Sequence, residues 1–128
     1  MSDPGGQARQ VRVLIADDDP DILVLLRSML SLDQRITVTG EASDGGQALH
    51  RFEELRPDVL VLDERMPVMY GLEVAAQILR AHPEQVVILC TAFIDDSVRT
   101  SASNLGVRAV VGKDDIPSLA DEIVRLAS

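Results

Sequence analysis

Cysteine, lysine and aromatic residues are nearly missing from these 128 residues: there is one Cys, one Lys, one Tyr, two Phe and no Trp. A single cysteine, Cys90, can neither close a disulfide within the chain nor build a zinc knuckle. It lies inside the run Val86-Val87-Ile88-Leu89-Cys90, which makes it a small buried apolar filler. With aromatics at 2%, the interior has to be assembled from Val, Leu, Ile and Ala at high density. Such a composition suits a parallel sheet covered on both faces. No apolar stretch reaches the ~18 residues of a membrane span, and the opening ten residues hold no apolar core of a secretory signal. The expectation is a cytoplasmic protein without a membrane segment. The formal net charge of −9 leaves no basic stripe to neutralise a phosphate backbone, so this domain is not expected to bind nucleic acid directly.

What is present is ordinary for a globular domain, with 46% hydrophobic and 26% charged residues in a length that fits one core. Residues 1–10, rich in Pro, Gly and polar side chains, read as a flexible tail, and 11–128 as a single folded unit. Val11–Ala16 predicts a buried strand, after which Asp19-Pro20 supplies a helix N-cap and a first-turn proline. Ile22, Leu25, Leu26, Met29 and Leu30 then follow at helical spacing. A strand over Ile36–Ala42 leads through Ser43-Asp44-Gly45-Gly46 into a helix carrying Ala48, Leu49, Phe52 and Leu55. Val59–Leu62 is a third strand, followed past Gly71 by a helix with Val74, Ala75, Ile78 and Leu79 on one face and His82-Pro83 at its end. Val86–Cys90 is a fourth strand. A weaker helix, poor in good helix formers, runs from Asp95 to Leu105 and stops at Gly106. Arg108–Val111 makes a short fifth strand, and Ile116, Leu119, Ile123, Val124 and Leu126 mark a closing helix. Five alternating strand and helix units predict a three-layer doubly wound α/β fold around a parallel sheet.

The ends of those strands carry the chemistry. Strand one ends in Asp17-Asp18-Asp19, strand three in Asp63, strand four in Thr91, and Lys113 follows strand five. In the flavodoxin-like order 2-1-3-4-5, strands one and three are neighbours at the point where the winding reverses, and ligands bind outside the carboxyl ends there. Asp17, Asp18 and Asp63 would then converge. Like charges at ~4 Å repel by about 4 kcal/mol at an effective dielectric near 20, so the cluster calls for a cation. All-oxygen donors favour a hard ion, Mg²⁺ above others. A carboxylate can attack phosphorus to give an aspartyl phosphate, and Asp63, closing an all-apolar strand, is the nucleophile candidate. Lys113 offers a compact point charge and Thr91 a hydroxyl to the phosphoryl oxygens, with Asp17 and Asp18 as metal ligands. Asp19 reads as a cap. His50 and His82 lie away from this set and read as surface packing residues. Met66, Met69 and Tyr70 read as packing of the loop after strand three.

Taken together, Leu14-Ile15-Ala16-Asp17-Asp18-Asp19-Pro20, the stretch from Asp58 to Asp63 with Met66-Pro67 and Gly71, Thr91-Ala92, and Gly106 through Lys113 resemble the receiver domain of bacterial two-component response regulators. The resemblance covers residues 11 to 127, and its motifs are specific jointly rather than singly. It implies phosphotransfer from a sensor histidine kinase or phosphotransfer protein to Asp63, Mg²⁺-dependent self-catalysed phosphorylation and dephosphorylation, and Arg65 giving its backbone carbonyl to the metal. It also implies a switching face made by the fourth helix, fifth strand and fifth helix, through which a homodimer could form. Where the family often has an aromatic in strand five this chain has Val110, and after the lysine, where proline is common, it has Asp114. The latter resembles regulators that carry a C-terminal DNA-binding output domain. Two rival readings share the same acids: an aspartyl-phosphate-forming phosphatase, whose usual general acid would fall at Arg65, and a pseudo-receiver that binds partners without phosphorylation.

Overall fold

The structure is a computed structural model and describes residues 9–128. Residues 1–8 of the expected tail lie outside the described residues. Arg9 and Gln10 are exposed yet bonded, Arg9 to the Asp58 carboxylate at 3.1 Å and the Gln10 amide to the Gln34 carbonyl at 3.1 Å.

Five strands, β1 (Val11–Ala16), β2 (Ile36–Ala42), β3 (Val59–Leu62), β4 (Val86–Thr91) and β5 (Ala109–Gly112), form one parallel sheet in the order β2-β1-β3-β4-β5. Between and after them run α1 (Pro20–Ser31), α2 (Gly45–Leu55), α3 (Gly71–Ala81), α4 (Asp96–Leu105) and α5 (Leu119–Ala127). Successive strand side chains point to opposite faces, so each strand feeds two cores. Leu14, Leu60, Leu62, Val87 and Leu89 pack with Phe52, Val74 and Ile78 of α2 and α3; Val13, Ile15, Val61, Ile88 and Cys90 pack with Leu26 and Leu30 of α1 and with Leu119 and Ile123 of α5. All of β3 and β4 is buried, which accounts for their unbroken apolar runs.

Helix starts follow their caps. Asp19 accepts from the Asp21 N–H at 2.9 Å with Pro20 in the first turn, Asp44 from Gln47 at 2.8 Å, and Asp95 from Val98 at 2.8 Å. Gly106, at φ 96°, ends α4 in the left-handed conformation glycine tolerates best.

Two expectations need correction. α1 buries Leu23, Leu26 and Leu30, while Leu25 is 43% exposed. The run Ile22-Leu23-Val24-Leu25-Leu26 offers apolar side chains to every direction, so spacing alone could not choose the face. The closing helix also begins later than Ile116. Lys113–Ser118 is a 3₁₀ segment containing Pro117, with Asp115 outside helical angles (φ −126°, ψ 31°), and Ile116 is buried from that segment. Proline lacks the N–H that a continuous α-helix would need there.

Candidate functional site

Strand register sets the site. Ala16 pairs with Leu62, so the residues that follow, Asp17 and Asp63, leave the sheet side by side. The ladder is extended by one bond on each: Asp63 N–H donates to the Ala16 carbonyl at 2.9 Å, and Asp17 N–H to the Ala42 carbonyl at 3.0 Å. Thr91 pairs with Gly112, which delivers Lys113 to the same crest. Three chain segments therefore converge at the carboxyl end of the sheet.

The carboxylates of Asp17, Asp18 and Asp63 each present an oxygen within 4.8 Å of the others. Asp17 and Asp63 are buried, at 1% and 4% exposure, and Asp18 is open to solvent. Lys113 Nζ lies 2.7 Å from Asp17 Oδ2 and 3.3 Å from Asp63 Oδ2, so the single lysine bridges both buried acids. The other Asp17 oxygen accepts from the Asp19 N–H at 2.9 Å. Asp19 otherwise caps α1. Thr91, 3% exposed, closes β4 beside Asp63, and its hydroxyl draws the Asp63 carboxyl down.

Burial and then the neighbouring charge of Asp17 push the Asp63 carboxyl above its ordinary range, against the pull of Lys113 and Thr91. Burial would lower the Lys113 ammonium, but its bond to Asp17 and the charges of both acids outweigh it and hold it above the usual value. The group is thus a permanent cation at neutral pH. An all-oxygen donor set with one ligand open to water fits a hard divalent cation, whereas a soft one would want sulfur or imidazole. Cys90, below the site and 2% exposed, has its thiol pushed up to about 12 by burial and takes no part.

Arg65 is exposed, and its guanidinium sits 5.9 Å from the centre of the Phe93 ring at the mouth of the site. With Glu64, Tyr70, Thr91, Asp95 and Val98 these two line a cleft beside Asp63. The expectation for the loop after β3 holds for buried Met66 and half-buried Met69, while Tyr70 is 58% exposed. Phe93, at 73% exposure, carried no distinguishing signal in the sequence. His82 packs on Phe52, ring centres 5.5 Å apart, and His50 lies beside Glu54; neither approaches the acids.

Residues 13–124 match the family described as the response regulator receiver domain. An uncharacterized transcriptional regulatory protein of Bacillus subtilis, YvfU, is 37% identical over 114 residues, covering 88% of this chain and 57% of the relative. A protein-glutamate methylesterase/protein-glutamine glutaminase of Geobacillus kaustophilus is 37% identical over 95 residues, 74% of this chain and 27% of the relative. Among solved structures, the signal receiver domain of the response regulator NarL from Mycobacterium tuberculosis superposes with a TM-score of 0.89 at 31% identity, covering 94% of this chain and 98% of that one. The chain belongs to the receiver domain family of two-component response regulators, whose members interact with histidine kinases or phosphotransfer proteins. Against two of these relatives it spans only part of their length. Among the described residues, no helix is long and apolar enough to cross a membrane.

Proposed function

We propose that Asp63 is the phosphoacceptor of a signalling switch. The observation that carries this is the convergence of two buried carboxylates, an exposed third and one lysine at a single crest. A carboxylate oxygen of Asp63 attacks phosphorus of a phosphohistidine or an acyl phosphate, the bond from phosphorus to the donor breaks, and the donor leaves with that electron pair. Asp17, Asp18, Asp63 and the Arg65 carbonyl would hold Mg²⁺, which supplies positive charge to the transferring oxygens when bound. Lys113 turns from Asp17 to the new phosphoryl group, and the Thr91 hydroxyl donates to one of its oxygens. Arg65, resting on Phe93 above the cleft, screens the acyl phosphate from water and so sets its lifetime.

The phosphodonor partner is a sensor histidine kinase or a phosphotransfer protein. The reporting surface is the face of α4, β5 and α5, through which two copies pair when phosphorylated. Asp114 and the similarity to a longer transcriptional regulator support a cytoplasmic protein whose DNA binding, where present, belongs to an output domain. The folded unit is taken as residues 11–128.

Incubation with acetyl phosphate and Mg²⁺, followed by intact mass measurement, tests this. One phosphoryl group should appear on the wild type and none on Asp63→Asn. Equal incorporation by both proteins would refute it, and no incorporation by either would favour a pseudo-receiver.

A further inference from the structure

The connection between Asp63 and Gly71 contains a strained turn. Val68 sits at φ 72°, and the Met69 N–H donates back to the Pro67 carbonyl at 2.8 Å. A bond two residues back around a positive φ is the rarer form of γ-turn, and a β-branched residue is poorly suited to it. Such a conformation persists only where its surroundings over-determine it.

Two restraints are visible. At the α2 side, the Gly45 N–H donates to the Pro67 carbonyl at 3.2 Å, and a Cβ on Gly45 would fall 2.3 Å from the Met69 carbonyl oxygen. At the neck of the loop stands Glu64. Its carbonyl accepts from the Gly71 N–H at 2.9 Å, and its side-chain Oε1 accepts from the Leu72 N–H at 2.8 Å. These are N–H groups of the first turn of α3, which have no partner within the helix, and a carboxylate there also complements the helix dipole. The neck is tight enough that a Cβ on Gly71 would lie 2.1 Å from the Asp63 carbonyl oxygen.

We infer that Glu64 is a positioning residue: by clasping the first turn of α3 it holds the strained Val68 turn in place, and so fixes the Asp63 carboxylate and the Arg65 carbonyl where metal and phosphoryl group are bound. This rests on the phosphoacceptor reading above. Glu64 itself touches neither group. Strain and clasp oppose each other: cutting the clasp lets the loop relax and shifts its first residues, whereas removing the strain makes the clasp dispensable.

Mg²⁺ binding, measured with the metal alone, and phosphate incorporation from acetyl phosphate are compared in the wild type, Glu64→Gln, Glu64→Ala, Val68→Gly and the Glu64→Ala/Val68→Gly double variant. The amide oxygen of Glu64→Gln keeps the bond to Leu72, so both readouts stay within about twofold. Glu64→Ala weakens Mg²⁺ affinity and slows incorporation by about tenfold, the lower end of what losing a supporting bond around a metal site costs. Glycine adopts positive φ freely, so Val68→Gly alone behaves as wild type and restores most of the loss in the double variant. Circular dichroism confirms that each variant is folded at the assay temperature, and Glu64→Ser is a second truncation should Glu64→Ala unfold. A melting temperature lowered with both readouts unchanged would mean a purely structural contact and overturn the inference. So would equal impairment in Glu64→Gln and the truncation, or no restoration by Val68→Gly. A wild type that neither binds Mg²⁺ nor takes up phosphate overturns the phosphoacceptor reading, and the inference with it.

Discussion

Replacing Lys113 by methionine keeps most of the aliphatic stem and removes the ammonium that bridges Asp17 and Asp63 at 2.7 and 3.3 Å. The gross attractions at those distances are about 6 and 5 kcal/mol at an effective dielectric near 20. Desolvation of the three groups offsets most of that, and breaking a buried ion pair typically costs 3–5 kcal/mol because the remaining charge is left uncompensated. The Lys113 side chain retains 19% exposure, so water reaches the pair, and the lower end, about 3 kcal/mol, is expected. For a domain of this size that corresponds to a fall of ~10 °C in melting temperature, read by calorimetry in EDTA at pH 7. The pH dependence has a definite sign. Burial and the charge of Asp17 already raise the Asp63 pKa in the folded state. Loss of the lysine raises it further, so the deficit is full above the folded pKa and shrinks as pH falls through it and the proton enters. Mg²⁺ at about 100 times its dissociation constant should return ~3 kcal/mol to the variant. An unchanged melting temperature in EDTA, or a deficit that does not shrink as the pH is lowered, would refute the bridging argument.

Gly71→Ala would place its methyl 2.1 Å from the Asp63 carbonyl oxygen and 2.9 Å from its carbon, backbone atoms that cannot swing aside; a loss of about 3 kcal/mol in urea unfolding is expected, and a loss under ~1 would contradict the close approach. Cys90, with its thiol pushed up to about 12 and nearly fully buried, should resist a thiol reagent in native buffer at pH 8 and react on unfolding; prompt native labelling would be the contrary result. Arg65→Ala, uncovering the cleft beside Phe93, should shorten the life of the acyl phosphate several-fold in a dephosphorylation time course, and matching rates would remove Arg65 from that role.

Much of this was legible in the sequence for physical reasons that can be named. Val59–Leu62 and Val86–Thr91 are buried on both faces, so their apolar runs mark strands without ambiguity, and the acids of Asp19, Asp44 and Asp95 announce three helix starts. Strict alternation points to a parallel sheet, and the flavodoxin-like order, one of the doubly wound orders that alternation allows, is the one found and the one that puts Asp17 beside Asp63. Other features had no readable signal. Valine gives no hint of positive φ, so the turn at Val68 emerges only from the backbone. Glu64 carried no signal in the sequence, because its partner, the Leu72 N–H, is created by where α3 begins. Lys113 was expected as the charge partner of the phosphoryl oxygens, and residue order gave no sign that its ammonium would bridge Asp17 at 2.7 Å and Asp63 at 3.3 Å. The face of α1 was read with Leu25 inward, whereas Leu23 is the buried residue, because five consecutive apolar residues satisfy more than one helical stripe.

Locating the phosphoryl group on the chain decides whether Asp63 is the acceptor. After phosphorylation with acetyl phosphate and Mg²⁺, borohydride reduction converts an aspartyl phosphate to homoserine, and peptide mass spectrometry identifies the residue. Conversion is expected at Asp63 alone, abolished by EDTA and strongly slowed in Lys113→Met. Conversion at Asp17 or Asp18 in the wild type, or at Asp63 without any divalent ion, would contradict it.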